Sequence, residues 1–424
     1  MKNWKQNIIV PVILQILLIV LLVVSNFIPH KWIAEHIEQS TEQLSEEGLY
    51  YVPLHINNDA IKWDNWTTSI SLNILWNAGE DTSFSNIVKN AWGTPDEGET
   101  VIDSLKGQVF EDETPNTNYS RYWCGSLIIL RFLLQFFNLD KIRLLLMMTM
   151  FIIWGIDAYV LYKRFSLRDA IVFSLTFIVT GSFINVMCPT YSQDILLTLI
   201  AVLVACLLFT SEENCKKYQF CYFFCLGQLT MFFTWLSYPV VILGIPLIVF
   251  LRSTQREKLH LKDLICSYIQ MLKLSVFWCL GYAFSMIIKS VLCIVSKMEA
   301  TAGGRIVLLM GEFSVGERFQ IIHDRSNAFF NDNIKMLFII AILLIVMVNI
   351  ITKRKIEWNN LKKVLRVAPV TLYPYVWQFV FALHAKAHGA DGQMYMITIM
   401  AVLYMINSLW EEGSGWQRIS NDVE

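Results

Sequence analysis

The stretch KIRLLLMMTMFIIWGIDAYVLY, residues 141–162, is an almost continuous apolar run. An α-helix rises about 1.5 Å per residue, so these residues as a helix are about 33 Å long. The hydrocarbon core of a bilayer is about 30 Å thick. This stretch therefore predicts a membrane-spanning helix, and it sets the class of fold expected for the rest of the chain.

The composition also indicates a membrane protein. Of 424 residues, 55% are hydrophobic and 16% are charged, whereas soluble domains are about one quarter charged. The apolar runs predict about ten spans, near residues 8–28, 141–162, 168–187, 192–210, 218–237, 239–252, 270–294, 334–352, 364–383 and 394–410. The first run is too long for the apolar region of a signal peptide and lacks a small-residue cleavage site, so it is predicted to be retained. The expected fold is an all-α polytopic membrane protein.

Basic residues predict the orientation of these spans. Clusters of Lys and Arg follow the second, fourth, sixth and eighth predicted spans, on the same side as Lys2 and Lys5. Cytoplasmic loops hold the excess of Lys and Arg, so both termini are predicted to be cytoplasmic. The predicted organisation is a tail and first helix (1–28), a large extracytoplasmic loop domain that ends in an interfacial helix (29–140), a transmembrane bundle (141–294), a second extracytoplasmic loop (295–333), C-terminal transmembrane helices (334–410) and a cytoplasmic tail (411–424).

The first extracytoplasmic segment is acidic, with 17 Asp or Glu residues against 6 Lys or Arg residues in 29–140. Within it, IAEHIEQSTEQL (33–44) has helical spacing and predicts an amphipathic helix. PDEGETVIDSLKGQVFEDETPNTN (95–118) is rich in Pro, Gly and acidic residues and predicts a solvated loop.

Nine cysteines do not indicate a disulfide framework. The largest soluble stretch, 29–123, contains none, and five cysteines fall in apolar runs, where a free thiol behaves as a small hydrophobe. Cys124 and Cys188 are both expected on the outer side, and a bridge between them is one alternative.

NYSRYWCGSLIILRFL, residues 118–133, places arginines among aromatic rings at a predicted membrane edge. The apolar part, 126–137, is too short to span, so it predicts an interfacial or re-entrant helix. Tyr122 and Trp123 suit that depth, and simple anchoring explains them. Arg121 and Arg131 need a partner there, either internal carboxylates or a phosphate bound by the guanidinium; both alternatives stay open.

Asp64 stands between Trp63 and Trp66 at the start of an apolar run. A carboxyl flanked by large rings is typical of a cleft in which desolvation tunes protonation. A solvent-facing acid on an amphipathic helix is the simpler interpretation, and the sequence does not decide between them.

Basic residues also mark two later outer loops. His384 and His388 share one face if a helix continues through them, but no acidic partner stands at helical spacing. Anion binding or plain loop polarity is therefore favoured, no metal site is assigned, and a divalent metal cofactor stays an open question. Arg305 follows Gly303 and Gly304 in a loop positioned to close over a ligand.

Several classes of function are disfavoured. The sequence has no GxxxxGK[ST] or GxGxxG motif, and no predicted cytoplasmic stretch has room for a nucleotide-binding domain. The predicted spans contain few ionisable residues, and those such as Asp157 and Lys289 lie near span ends. Ion-coupled transporters usually keep charges near the midplane, so transport is disfavoured. No nucleic acid partner is indicated.

This topology resembles the GT-C class of integral-membrane glycosyltransferases, which use polyprenyl-phosphate-linked sugars. The likeness covers an inside N-terminus, one span, a large first outer loop with an acidic residue, and many later spans. YSRYWCG and LYPYVWQFVFALHAKAH are similar to stretches of bacterial membrane proteins met near polysaccharide genes, in which a His often stands at the position of Cys124. No paired acidic motif follows the first span, unlike in the better-known members.

The resemblance implies roles for particular residues. An acidic residue of the first outer loop serves the class as base or metal ligand, and Asp64 matches best by position, with Asp59 second. Basic outer-loop residues bind the donor phosphate, and Arg121, Arg305, His384 and His388 are the candidates. Tyr122, Trp123 and Arg131 complete the predicted substrate-binding set.

The resulting prediction is a glycosyltransferase of a bacterial plasma membrane. It would move a sugar from a lipid-linked donor to a glycan or lipid acceptor, with membrane lipids around it. Two alternatives remain: a non-enzymatic assembly factor that binds envelope polysaccharide, and a transporter of lipid-linked glycan.

Overall fold

The computed structural model describes residues 4–53, 61–79, 81–255, 260–298, 308–387 and 389–410. The helices are α1 (Trp4–Ser25), α2 (Ala34–Glu47), α3 (Asn65–Asn77), α4 (Phe84–Lys89), α5 (Val101–Phe110), α6 (Ser126–Leu133), α7 (Leu139–Arg164), α8 (Leu167–Val179), α9 (Ser182–Asn185), α10 (Pro189–Leu208), α11 (Glu212–Phe233), α12 (Val240–Ser253), α13 (Leu261–Val295), α14 (Val315–Phe329), α15 (Asp332–Ile351), α16 (Leu361–Val367), α17 (Tyr373–Val380), α18 (Ala382–Ala387) and α19 (Met396–Ser408).

Short strands and 3₁₀ turns connect these helices. Strand β1 (Tyr50–Tyr51) pairs antiparallel with β2 (Trp63–Asp64), and β3 (Ala91–Trp92) pairs antiparallel with β4 (Thr117–Asn118). The 3₁₀ segments are His30–Trp32, Trp358–Asn360, Ala368–Leu372 and Gly389–Tyr395.

Four of the described helices are long and apolar enough to cross a membrane, namely α7, α10, α13 and α15. Shorter apolar helices cover Ile9–Ser25 in α1 and Val240–Ser253 in α12. Large apolar side chains on α13 and α15 are exposed, as on helices that face lipid. The chain is therefore an all-α membrane protein, as its apolar runs predicted, although only four of the predicted spans are long, continuous apolar helices within the described residues.

Two of the predicted spans are broken. Residues 364–383 do not form one helix, because Pro369 and Pro374 lie at the starts of new helical segments and proline lacks the N–H that continues a preceding turn. Residues 168–187 are interrupted at Gly181, whose φ of 65° is left-handed. The two predicted spans are therefore interrupted helices in the structure.

The acidic stretch 95–118 is not simply a solvated loop. It contains α5, whose N-terminus carries a capping box in which Thr100 and Asp103 exchange side-chain and backbone hydrogen bonds. Val101, Ile102 and Leu105 are buried. The sequence pattern did not predict this helix because its short apolar face is surrounded by acidic residues.

The first soluble segment shares a hydrophobic core with the membrane helices. Ile37 of α2, Leu72 of α3 and Leu105 of α5 pack in one cluster with Leu139 at the start of α7. Trp235, between α11 and α12, belongs to the same cluster. The segment is thus docked on the bundle, and it places its side chains at that end of the membrane helices.

Two glycines set the closest helix contact. A Cβ at Gly227 of α11 would collide with the carbonyl oxygen of Trp278, and one at Gly281 of α13 would collide with that of Phe224. Small residues let the backbones of membrane helices approach closely. Both partner atoms are backbone atoms, which cannot rotate away as a side chain can.

We expect Gly227→Ala or Gly281→Ala to lower the free energy of unfolding by about 3 kcal/mol, because the helices must separate to admit the methyl group. Thermal unfolding of the purified protein in detergent measures this. Gly155→Ala, which adds the same atom to α7 in open space, is the control and should be neutral or stabilising. Equal unfolding temperatures for all three variants would contradict the close contact.

Candidate functional site

The guanidinium of Arg121 lies on a group of stacked aromatic rings. Its Cζ is 3.9 Å from the ring centroid of Tyr119 and 5.4 Å from that of Tyr122. The two tyrosine rings stack at 5.2 Å and lie 5.7 and 6.1 Å from the ring of Trp235. Cation–π contact of this kind holds a charge without neutralising it. We call Arg121, Tyr119, Tyr122 and Trp235 the arginine cluster.

No ion pair joins Arg121 to a carboxylate within the part of the chain that the structure describes, and its buried Nε has no hydrogen-bond acceptor there. Of the two alternatives for Arg121, the internal salt bridge is therefore not formed among these residues.

His384 lies beside the arginine cluster. Its Nε2 donates to the carbonyl oxygen of Leu236 at 2.7 Å, and the side chain is buried. Leu236 directly follows Trp235 and has a φ of 66°, a left-handed conformation that is strained for a branched side chain. Strain of this kind is found where a structure over-determines a local geometry. The Trp235–Leu236 segment thus contacts Tyr122 through the Trp235 ring and His384 through the Leu236 carbonyl.

An apolar cavity of about 550 Å³ begins at this turn. Its walls come from α12, α13, α17 and α18, and include Leu236, Val240, Leu272, Tyr282, Val376, Trp377 and His384. Leu272 and Tyr282 are ten residues apart on α13, so the cavity follows that helix for about 15 Å. We call it the long cavity.

Asp64 has a local structural role that the sequence analysis did not predict. It is the N-cap of α3: its Oδ1 accepts from the N–H of Thr67 at 2.9 Å, and its Oδ2 accepts from the Thr67 hydroxyl at 2.6 Å. The side chain is buried, and Thr68 and Cys188 contact its backbone carbonyl. The simpler interpretation, that Asp64 is a solvent-facing acid, is therefore wrong. The carboxylate is buried, as the cleft interpretation predicted, and it caps the N-terminus of α3.

Two other predicted residues have structural partners. Arg131 donates to Asn26 Oδ1 at 3.0 Å and to the carbonyl of Ile28 at 2.8 Å, which ties α6 to the end of α1. The Trp123 Nε1 donates to the carbonyl of Ser285 at 3.0 Å, away from the arginine cluster. Both are buried and hold the stretch 118–133 in place. Arg305 and His388 lie outside the described residues.

Several buried polar groups were not given a role by the sequence analysis. Glu47 of α2 and Arg143 of α7 form a two-bond ion pair, with Arg143 Nη2 also donating to Asn65 at 3.0 Å. Asp157 in α7 and Asp194 in α10 are buried carboxylates whose oxygens accept no hydrogen bond from the described residues. Asp194 in YSQDILL is an isolated acid inside a predicted span, and this feature of the sequence could have identified it as a candidate functional residue.

The cysteines do not form bridges. All nine are free thiols, and Cys124 and Cys188 contact Asn90 and the Asp64 carbonyl, respectively. The alternative of a Cys124–Cys188 bridge is therefore wrong. No group of three His, Cys, Asp or Glu residues that could hold a metal ion occurs in the described ranges.

Comparison of the chain with models of protein families, with curated proteins and with solved structures finds no match.

The Glu47–Arg143 pair predicts an acid-sensitive stability. Burial raises the pKa of Glu47, but the hydrogen bonds and charge of Arg143 outweigh it and hold the pKa below the ordinary 4.5. A depressed carboxyl pKa stabilises the fold above about pH 4.5, and that contribution is lost as the pH falls through the folded pKa. We expect Glu47→Gln to cost about 3 kcal/mol at neutral pH and progressively less as the pH falls below 4.5 and through the lowered pKa of Glu47.

Thermal unfolding of wild type and variant across this pH range measures the difference. Glu46→Gln removes the same charge from an exposed neighbour and should leave the pH profile unchanged. Parallel profiles for wild type and Glu47→Gln would show that the ion pair does not stabilise the fold.

Cys124 is predicted to be unreactive. Burial raises its pKa to about 12, so roughly one thiol in ten thousand is ionised at pH 8. N-ethylmaleimide should label the exposed Cys266 within minutes and leave Cys124 unlabelled until the protein is denatured, as read by peptide mass spectrometry. Equal labelling rates would show that solvent reaches the arginine cluster through this position.

Proposed function

We propose that this chain is a GT-C-like glycosyltransferase that moves a sugar from a polyprenyl-phosphate donor to a glycan or lipid acceptor of a bacterial cell envelope. The proposal includes the finer topology: about ten membrane segments, some of them short or broken, both termini in the cytoplasm, and residues 29–140 outside. The observation that carries it is the long cavity, whose apolar walls include His384 and Leu236, the residue that follows Trp235 of the arginine cluster.

The shape and lining of the long cavity suit an isoprenoid chain. Its walls are almost entirely apolar and aromatic, and it follows α13 through a depth that faces lipid. A chain of isoprene units inside it would be removed from water at no cost to any polar group. A soluble sugar, in contrast, would leave its hydroxyl groups without partners there.

The polar end of the cavity suits a phosphate. His384 and Trp377 line the cavity, and the buried Nε1–H of Trp377 has no acceptor among the described residues. Arg121 lies on the rings of Tyr119 and Tyr122, which neighbour the ring of Trp235, the residue before Leu236. A phosphate oxygen would accept from such donors, and charge-assisted bonds of this kind are the strong ones. The negative charge that develops on the leaving phosphate would be stabilised in the same way.

The proposed reaction breaks the bond between the sugar anomeric carbon and the donor phosphate oxygen and forms a bond from that carbon to an acceptor hydroxyl oxygen. The hydroxyl proton passes to a carboxylate, and polyprenyl phosphate leaves. Asp64 is proposed as that carboxylate because it is the buried acid that the resemblance indicates, and its two bonds to Thr67 fix the orientation of the carboxylate. Asp194 is the second candidate because it is buried and its oxygens are unbonded within the described part of the chain.

One observation favours a second candidate function. Asp157 and Asp194 are buried in α7 and α10 without a hydrogen-bond donor among the described residues, and intramembrane carboxylates are frequent in proton-coupled carriers. Export of a lipid-linked glycan is therefore a better alternative than the sequence indicated. Binding of envelope polysaccharide without catalysis is the third alternative.

Donor binding is tested with polyprenyl monophosphate, whose retention by the purified protein is measured by native mass spectrometry. Val376→Trp fills the long cavity and should weaken binding at least tenfold. Val291→Trp makes the same change on an exposed face of α13 and should bind as wild type does. Equal binding by both variants would show that the lipid does not occupy this cavity.

Catalysis is tested by incubating reconstituted protein with polyprenyl-phosphate sugars and envelope lipid acceptors. Asp64→Asn should lower turnover about a hundredfold or more, as loss of a general base does, while donor binding stays within a factor of two. Asp194→Asn is measured in parallel. Unaltered turnover by Asp64→Asn would remove it from the mechanism, and loss by Asp194→Asn alone would transfer the role to that residue.

A further inference from the structure

The chain between α15 and α16 is held rigidly although it lies on the surface. Lys353 adopts a φ of 53° and closes the end of α15, with the Arg354 N–H donating to the Asn349 carbonyl at 3.0 Å. Ile356 then pairs with Trp410, and the N–H of Glu357 donates to the Leu409 carbonyl at 2.9 Å. The side chains that follow are therefore presented in a fixed arrangement.

Large apolar side chains on this segment point outwards. Trp358 is 78% exposed, the highest value for any large hydrophobic residue that the structure describes, and Leu361 and Leu365 of α16 are 47% and 42% exposed. The opposite side of α16 is fixed to the protein, because the Arg366 guanidinium donates to Ser267, Thr254 and the Leu251 carbonyl. An indole ring in that position suits the headgroup region of a bilayer, where its apolar body and its N–H are both satisfied.

Cationic side chains surround these apolar residues. Lys353, Lys355 and Lys362 are exposed, and so is Lys262 on the adjoining first turn of α13. The two helices are joined here, because the Tyr268 hydroxyl donates to the Leu365 carbonyl at 2.8 Å. None of these four lysines forms an ion pair with another described residue. Glu357 is the one exposed acid between Thr352 and Val367. The surface therefore has a net positive charge beside exposed apolar rings.

We infer that this surface, formed by Lys262, Lys353, Lys355, Trp358, Leu361, Lys362 and Leu365, binds the headgroups of anionic phospholipids at the membrane face where α15 ends. The apolar side chains enter the leaflet between the acyl chains, and the lysines contact the phosphates and the net charge of the headgroups. Each lysine near an anionic surface contributes about fivefold in affinity. A zwitterionic headgroup has no net charge, so it gains only the apolar part.

The inference is tested on the full chain in a nonionic detergent. Native mass spectrometry measures retention of added phosphatidylglycerol and of phosphatidylcholine with the same acyl chains. Wild type should retain phosphatidylglycerol at least tenfold more strongly. The triple variant Lys353→Gln, Lys355→Gln, Lys362→Gln should lose most of that preference, and Trp358→Ala should weaken the retention of both lipids.

The control variant Lys31→Gln, Lys89→Gln, Lys141→Gln removes three exposed lysines elsewhere and should keep the preference. Circular dichroism and the unfolding temperature confirm that each variant is folded. Equal retention of the two lipids by wild type would overturn the inference. An equal loss of preference in the control variant would overturn it too, because the effect would then follow net charge and not this surface. The outcome does not depend on whether the chain transfers a sugar.

Discussion

The ion pair between Glu47 and Arg143 holds the two parts of this molecule together. Glu47 is the last residue of α2, in the soluble segment, and Arg143 is in the first turns of α7, so the pair fixes the soluble segment at one end of a membrane-spanning helix. The ring of Trp63 lies 4.3 Å from the guanidinium, which places β2 and hence Asp64. Removing one partner of such a buried pair costs several kcal/mol, because the other charge remains in a dry site.

From that anchor, the functional residues are positioned by backbone turns more than by helices. Arg121 and Tyr122 are on the connection from β4 to α6, Trp235 and Leu236 are on the connection from α11 to α12, and His384 is on the short α18. Loops that carry such residues need a rigid support. Here the support is a set of long-range bonds, such as the Trp235 Nε1 donating to Ser126 at 3.0 Å. The cluster is thus preorganised even though each contributing segment is irregular.

Local pattern predicted the long helices well and the breaks poorly. The apolar runs at 141–162 and 334–352 became α7 and α15 with ends shifted by at most two residues, because length and hydropathy decide a span. Residues 364–383 were predicted to be one span because their hydropathy is high. Their helix is interrupted because Pro369 and Pro374 begin new helical segments. α5 was missed because its buried face comprises only a few residues within an acidic stretch.

The same distinction holds for the candidate site. Its aromatic and basic residue types indicated Arg121, Tyr122 and His384. In the structure Arg121 lies on Tyr122, and His384 bonds to Leu236, the residue after Trp235. The pattern gave no means of knowing that Arg131 meets Asn26, 105 residues earlier, or that Asp64 caps its own helix. Partners at that separation are set by tertiary packing, which leaves no periodic trace in the sequence.

The length of α13 has a mechanical consequence. Its 35 residues extend about 52 Å, well beyond the roughly 30 Å of hydrocarbon. Near one end, Lys289 donates to the Val88 carbonyl at 2.8 Å and Ser285 accepts from Trp123; at the other end, Tyr268 is bonded to α16. Near its middle, α13 packs closely against α11 at Gly281 and Gly227. We therefore expect α13 to move as one rigid helix. A change in the tilt of α13 would therefore also move its contacts with Trp123 and Val88 of the soluble segment.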